Sequence, residues 1–250
     1  MTGAARSRYE ARFAETPEDV LKAQHLRFRA FVDDASSAAS SSNVDADRFD
    51  PLCRHVLVES KRTGELAACF RILPLADGGQ ISSSYAAQYY GLSGLSAFPG
   101  RMAEMGRFCV VPGLRDPDAI RVAWSAMSRF VDDEGVDLLF GCSSFHGTEA
   151  ERYLDAFAML NECHLAPKRW LPKVKAPDVF RFARRLGRTT DAKRAILTMP
   201  PLLRSYLAMG GWVSDHAVVD RDLGTLHVFT GLEISAIPAA RARLLRAMVC

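Results

Sequence analysis

The apolar run AEMGRFCVV, Ala103 to Val111, contains a carboxylate at Glu104 and a guanidinium at Arg107. A strand core tolerates such groups only where each has a partner or a task. Strict alternation would send the two side chains to opposite faces. One extra residue at Gly106, the residue type that bulges prefer, would flip the register. Glu104, Arg107, Cys109 and Val111 would then share a face, with Ala103, Met105, Phe108 and Val110 on the other. A bulge also leaves a backbone N–H unpaired beside the carboxylate, an arrangement suited to removing a proton next to a developing oxyanion. The alternative is an edge strand carrying two solvated charges.

More charges fall inside or at the ends of apolar segments: Arg27 and Arg29, Asp47 and Asp50, and Arg71. Guanidinium groups bind carboxylates bidentately, and paired Asp residues suit an ammonium, so together they suit a zwitterionic substrate. An ion-pair scaffold without a ligand is the competing reading. Other chemistries lack their signatures. GCSSF at 141–145 falls one Gly short of a nucleophile elbow, there is no P-loop and no G-x-G-x-x-G, and the six His form no i,i+4 metal pair. No metal is expected, and no His is assigned to catalysis.

The elements that must position these groups follow from periodicity and punctuation. RYEARFAE reads as a strand. TPEDVLKAQHLRFRAFVDD reads as a helix with Thr16 as N-cap, Pro17 in the first turn and Asp19 closing a box-like pair. ASSAASSSN is a low-complexity loop that could act as a lid. CRHVLVES and LAACFRILPL form a hairpin turning at Gly64. SSSYAAQYYGLSGL is expected to be helical, and AEMGRFCVVP a strand. DPDAIRVAWSAMSRFVDDEG is a helix, VDLLFGCSSF a buried strand and TEAERYLDAFAML a helix. WVSDHAVVDRDLGTLHVFTGLEI is a hairpin turning at Leu223-Gly224. This order predicts an α/β (α+β) fold with one sheet.

A chain of 250 residues can bury a sizeable core, and its composition is that of a soluble globule. The first residues lack the apolar stretch of a secretory signal, and no run approaches the roughly 18 apolar residues of a membrane span, so a cytoplasmic protein is expected. The six Cys show no C-x-x-C spacing and read as reduced structural thiols. The net charge of +3 is uneven: residues 167–204 carry +9 and the remainder −6. Such a basic region suits nucleic acid, anionic lipid or an acidic protein partner.

Arg27 with Phe31, the stretch DRFDPLCRH from Asp47 to His55, Arg71, and E-x-G-R-F-C-V from Glu104 together resemble the ornithine–acyl-carrier-protein N-acyltransferases of ornithine-lipid synthesis. The likeness continues through GCSSFHGTE and PPLLRSYLAMGGWVSDHAVVD, and a more distant one links the Arg, Asp-x2-Asp, Arg, Glu-x2-Arg series to acyl-homoserine-lactone autoinducer synthases. The resemblance implies a GNAT-type fold, with a mixed, mostly antiparallel central sheet flanked by helices. Residues 1–166 would form the acyltransferase core, and residues 167–250 a basic C-terminal part completing the same domain.

It also implies transfer of a 3-hydroxyacyl chain from acyl carrier protein to the α-amine of ornithine, with glutamine, glycine or S-adenosylmethionine as alternative acceptors. No cofactor is expected beyond the phosphopantetheine of the carrier protein. Glu104 would be the general base, Gly106 and Arg107 the oxyanion donors, and Ser143, Ser144 or Tyr153 the source of the leaving-group proton. Arg27 or Arg71 would hold the acceptor's carboxylate and Asp47 or Asp50 its ammonium, with Phe31 nearby. Phe108, Phe140 and Phe145 would line the acyl tail between diverging strands, or serve equally as plain core. PGLRDPDAI stands where acetyl-CoA-using relatives carry a glycine-rich pyrophosphate loop, leaving Gly113 and Arg115 for a single phosphate. Arg181, Arg184, Arg185, Arg188, Lys193 and Arg194 would dock the acidic carrier protein, which lowers the case for nucleic acid. A lipid product also brings the inner membrane surface into consideration, with ILTMPPLLRSYLAMGGW resting on it or packing as a C-terminal helix.

Overall fold

The computed structural model describes residues 7–31, 43–185 and 191–247. The stretch expected to act as a lid lies outside them apart from Asn43. In chain order the elements are β1 (Tyr9–Phe13), α1 (Pro17–Phe31), β2 (Arg54–Ser60), β3 (Leu66–Leu75), β4 (Tyr90–Gly91) and β5 (Arg101–Val110). Then follow α2 (Pro117–Glu134), β6 (Val136–His146), α3 (Leu154–Cys163), β7 (Lys173–Val174), β8 (Val179–Phe180) and α4 (Phe182–Arg185). The chain continues through α5 (Ala192–Thr198), α6 (Pro201–Ala208), β9 (Trp212–Val213), β10 (Ala217–Asp220), β11 (Thr225–Glu233) and α7 (Ala239–Ala247). Among the described residues no helix is long and apolar enough to cross a membrane.

Two compact units interleave along the chain. The first comprises Met1–Leu73, Met105–Gly135 and Ala240–Cys250. Its strands β1, β2 and β3 form antiparallel ladders, β3 neighbours β5, and the β2–β3 turn places Gly64 at φ +71°. Thr16 caps α1 as its sequence dictates, with Oγ1 accepting the Asp19 amide at 3.2 Å. The Asp19 carboxylate reaches one residue beyond the expected box partner, to the Glu15 amide at 3.2 Å, because Arg12 draws it outward at 2.6 Å. Helix α2 lies against β1 and β2, starting at an Asp116 cap and stopping at Gly135. Ala23, Leu26, Leu57, Cys69 and Cys109 form a buried cluster in this unit. The Sγ atoms of Cys69 and Cys109 stand 3.6 Å apart as free thiols.

The second unit comprises Pro74–Glu104 and Val136–Ala239. The start of β5 runs parallel to β6, and the paired residues end at Glu104 opposite Phe140. The rest of this sheet is antiparallel, in the order β6-β11-β10-β8, with β9 on β11. The β10–β11 hairpin turns as expected, with Gly224 at φ +60°. Thus the C-terminal third supplies strands to the sheet that contains β6. One face of it packs Phe145, Leu226 and Val228 against Phe157 of α3, Phe182 and Leu203.

The expected helix over SSSYAAQYYGLSGL is not formed. Short 3-10 turns at Gly78–Ser83, Ala86–Gln88 and Leu95–Ala97 surround β4, which pairs with β7. Side chains capture the local backbone groups that a helix would have used. Ser84 Oγ accepts the Ala87 amide at 3.2 Å, and the Glu104 carboxylate takes the amides of Tyr85 and Ala86.

Candidate active site

In the first unit, three guanidinium groups and three carboxylates form one network. Arg27, 1% exposed, comes from α1; Asp45, Asp47 and Asp50 come from the segment before β2; Arg71 comes from β3 and Arg107 from β5. Arg27 Nε donates to Asp45 Oδ2 at 2.8 Å, and its Nη atoms donate to the two oxygens of Asp50 at 2.8 and 3.1 Å. Arg71 holds Asp47 bidentately at 2.6 and 2.7 Å and reaches Asp50 at 2.6 Å. Arg107 donates to Asp45 at 3.0 Å and to Asp47 at 3.4 Å. Gln24 Nε2 adds a bond to Asp50 at 2.9 Å. His55 Nε2 meets the Asp50 carbonyl at 3.1 Å, so that nitrogen carries a proton.

Burial would raise the Asp50 carboxyl, but bonds from Arg27, Gln24 and Arg71 hold it well below the usual carboxylate range. Asp47 is likewise desolvated yet lowered, chiefly by Arg71. Burial works the other way on His55 and lowers it. Six formal charges cancel within the network. The sequence alone grouped Arg27, Arg29, Asp47, Asp50, Arg71, Glu104 and Arg107; the structure joins Arg27, Asp47, Asp50, Arg71 and Arg107 in this network, while Arg29 is exposed on α1. That grouping missed Asp45, whose signal was present in VDADRFD: three Asp where three Arg need partners.

The irregularity in β5 falls one residue later than expected. Arg107, not Gly106, adopts the left-handed conformation, with φ +53°. A non-glycine residue there costs about 1–2 kcal/mol, and the two ion pairs of Arg107 offset that strain. A Cβ on Gly106 would meet only Arg71 side-chain atoms, at 3.7 and 3.9 Å. Glycine is therefore not required at this position by space or by positive φ.

In the second unit, Glu104 is 4% exposed and is held by peptide amides: Oε2 accepts Tyr85 N and Oε1 accepts Ala86 N, both at 2.7 Å. Arg107 meets carboxylates at Asp45 and Asp47, whereas these two bonds of Glu104 come from peptide amides, whose N–H dipoles stabilise a carboxylate's charge.

The segment that supplies those amides ends on Tyr90, 1% exposed, whose hydroxyl donates to the His227 carbonyl at 2.7 Å. A hydroxyl has one proton, so its 3.0 Å contact with His227 Nδ1 requires the imidazole proton on Nδ1. Burial, with a smaller push from His216, lowers His227 to about 4, and the ring is neutral near pH 7.

The two candidate serines separate by strand parity. Ser143 is buried and accepts from Thr230 Oγ1 at 2.9 Å, whereas Ser144 is exposed. Tyr153 already donates its hydroxyl to the His146 carbonyl at 2.6 Å. Phe140 and Phe145 cannot line one surface, since an odd spacing puts them on opposite faces of β6; Phe145 belongs to the core beside Phe157. In the first unit Phe108 stacks on Phe70, with centroids 5.7 Å apart, and Phe31 packs on the Ala23–Leu26 cluster.

Gly113 has φ +81° and open space around it, and Arg115 is exposed. The start of α2 just beyond them is occupied by the chain's own acid, since Asp116 accepts the Asp118 amide at 3.1 Å and Pro117 has no N–H. Arg181, Arg184, Lys193 and Arg194 are exposed, Arg194 pairing with Asp155 at 3.4 Å. Arg185 ends α4, and Arg188 lies outside the described residues. Among the described residues no cluster of three or more His, Cys, Asp or Glu could hold a metal ion.

Comparison with known proteins follows this division of charged groups along α1, β3 and β5. A family model described as an acetyltransferase (GNAT) domain matches residues 26–125, the stretch from Arg27 through Arg107. The L-ornithine N(alpha)-acyltransferase of Rhodobacter capsulatus is 31% identical over 238 residues, covering 92% of this chain and 91% of that protein. The enzyme of the same name from Rhizobium meliloti is 28% identical over 240 residues, covering 91% and 81%. Among solved structures, FeeM, an N-acyl amino acid synthase from uncultured soil microbes, overlays with a TM-score of 0.48 at 12% identity over 97% of each chain. The family model and the match over 92% of this chain to the Rhodobacter capsulatus protein together show that this chain is a GNAT-type acyltransferase and belongs to the L-ornithine N(alpha)-acyltransferase family.

Proposed function

We propose that the protein transfers a 3-hydroxyacyl chain from acyl carrier protein to the α-amine of ornithine, releasing the carrier thiol and forming a lyso-ornithine lipid. The observation that carries this reading is the 31% identity to an L-ornithine N(alpha)-acyltransferase along 92% of the chain. The amine reaches the enzyme mostly protonated and must lose a proton before its lone pair can attack the thioester. Glu104 takes that proton directly or through one water, its charge maintained by the Tyr85 and Ala86 amides. The backbone around Gly106 and Arg107 stabilises the oxyanion of the tetrahedral intermediate. Ser144, the exposed member of its pair, returns a proton to the departing thiolate.

In the acidic and basic network, Arg27, Asp50 and Arg71 act as the scaffold. Asp47 and Arg107, joined by the longest bond of the set at 3.4 Å, are the pair that the acceptor's ammonium and carboxylate engage. The acyl group arrives on the carrier's phosphopantetheine and needs no other cofactor. Exposed Arg115, Arg181 and Arg184 attract the acidic carrier. The test is thiol release from 3-hydroxyacyl carrier protein in the presence of single amino acids. Ornithine is expected to give the highest kcat/KM; release with glutamine or glycine but not ornithine would replace the acceptor in this proposal.

A further inference from the structure

Helix α5 turns two large aliphatic side chains outward. Ala195 is fully buried and marks the inner face, while Ile196 is 50% and Leu197 74% exposed. At roughly 100° per residue, Lys193 and Leu197 both point about 160° away from Ala195, with Ile196 and Arg194 on either side. The outward face is thus two aliphatics and two cations. Arg204 of α6 is also exposed, and its guanidinium reaches the Ile196 carbonyl at 3.5 Å. Two acids beside the helix are committed: Asp191 caps it through the Arg194 amide at 3.1 Å, and buried Asp155 pairs with Arg194 at 3.4 Å.

We infer that this face of α5 is a contact for an anionic phospholipid surface, with Ile196 and Leu197 entering the headgroup boundary and Lys193 and Arg204 meeting lipid phosphates. Charge complementarity selects the occupant, because α5 itself carries Lys193 and Arg194 and no carboxylate, with Arg204 beside it. The residue types argue for lipid over protein, since aliphatic side chains among Lys and Arg suit an interface, whereas protein hot spots favour Trp, Tyr and Arg over Leu. The inference rests on the proposed reaction in one respect: its product carries a long acyl chain and must leave into a bilayer.

The experiment is sedimentation of the full chain with phosphatidylglycerol vesicles and with phosphatidylcholine vesicles. Thiol release from soluble substrates is measured in parallel without vesicles. Wild type is expected to sediment with phosphatidylglycerol only, and less so as salt is raised. The double variant Ile196→Ser, Leu197→Ser is expected to lose about tenfold or more in partitioning, with its melting temperature and vesicle-free turnover unchanged. Equal partitioning of wild type and variant, or no wild-type binding to phosphatidylglycerol, overturns the inference. So does a raised KM for the carrier protein in the variant without vesicles, which would assign the face to a protein. Failure of ornithine as acceptor would show in the soluble assay alone, and so is distinguishable from failure of the surface.

Discussion

The two charged regions solve one problem by different means. In the first unit, buried carboxylates are matched by guanidinium groups, side chain against side chain, across Arg27, Asp45, Asp47, Asp50, Arg71 and Arg107. In the second, Glu104 has its charge met by two peptide N–H groups. Matched ions lock one another, so each member costs several kcal/mol to remove and little is gained by its charge alone. Amide dipoles stabilise an anion without supplying a formal counter-charge. The first arrangement is an architecture with an accessible corner at Asp47 and Arg107. The second is a buried acid seated on backbone amides.

That contrast can be broken most directly at Glu104. Glu104→Gln is expected to lower turnover by about 10²–10⁴, measured as thiol release, while circular dichroism still reports a folded chain; normal turnover would remove Glu104 from the chemistry. Asp50→Asn should act chiefly on stability, costing about 3–5 kcal/mol because Arg27 and Arg71 lose a buried counter-charge, read from urea unfolding. A variant as stable as wild type would show that the network is not the scaffold described.

The pH dependence of stability separates the regions further. His227 is held near 4 against an ordinary 6.5, so between those values the folded chain binds fewer protons than the unfolded one. Its contribution is present above pH 6.5 and lost on acidification towards 4, at up to about 1.4 kcal/mol per pH unit. His227→Gln should flatten that part of the profile. Asp47 and Asp50 are lowered from 3.8, so their contribution is intact above that pH and lost only below it. Asp50→Asn should flatten this lower window. The smallest effect expected is at Gly106→Ala, a change of about 1 kcal/mol or less and of either sign. A larger loss would mean that the glycine is required where the geometry makes it optional.

Much of the fold was legible because its signals are local. Thr16 and Asp116 cap helices, Gly64 and Gly224 turn hairpins, and short apolar runs became β2, β3, β5 and β6. The helix expected over SSSYAAQYYGLSGL failed for a distant reason: Glu104, nearly twenty residues away, binds the Tyr85 and Ala86 amides that a helix start would have left to solvent or a cap. The placement of Phe145 failed for a simpler one, since parity along β6 opposes it to Phe140.

What the amino-acid sequence determined by itself was an inventory: arginines at 27, 71 and 107 and aspartates at 47 and 50 that must find partners, and an acid stranded in an apolar strand. Which partners they take was decided only in three dimensions. Charge pairing depends on distances between segments far apart in the chain, and no local propensity encodes them. The same holds for the bend of β5. Glycine preference pointed to position 106, but the anchoring of the Arg107 guanidinium by Asp45 and Asp47 moved the left-handed residue to the arginine.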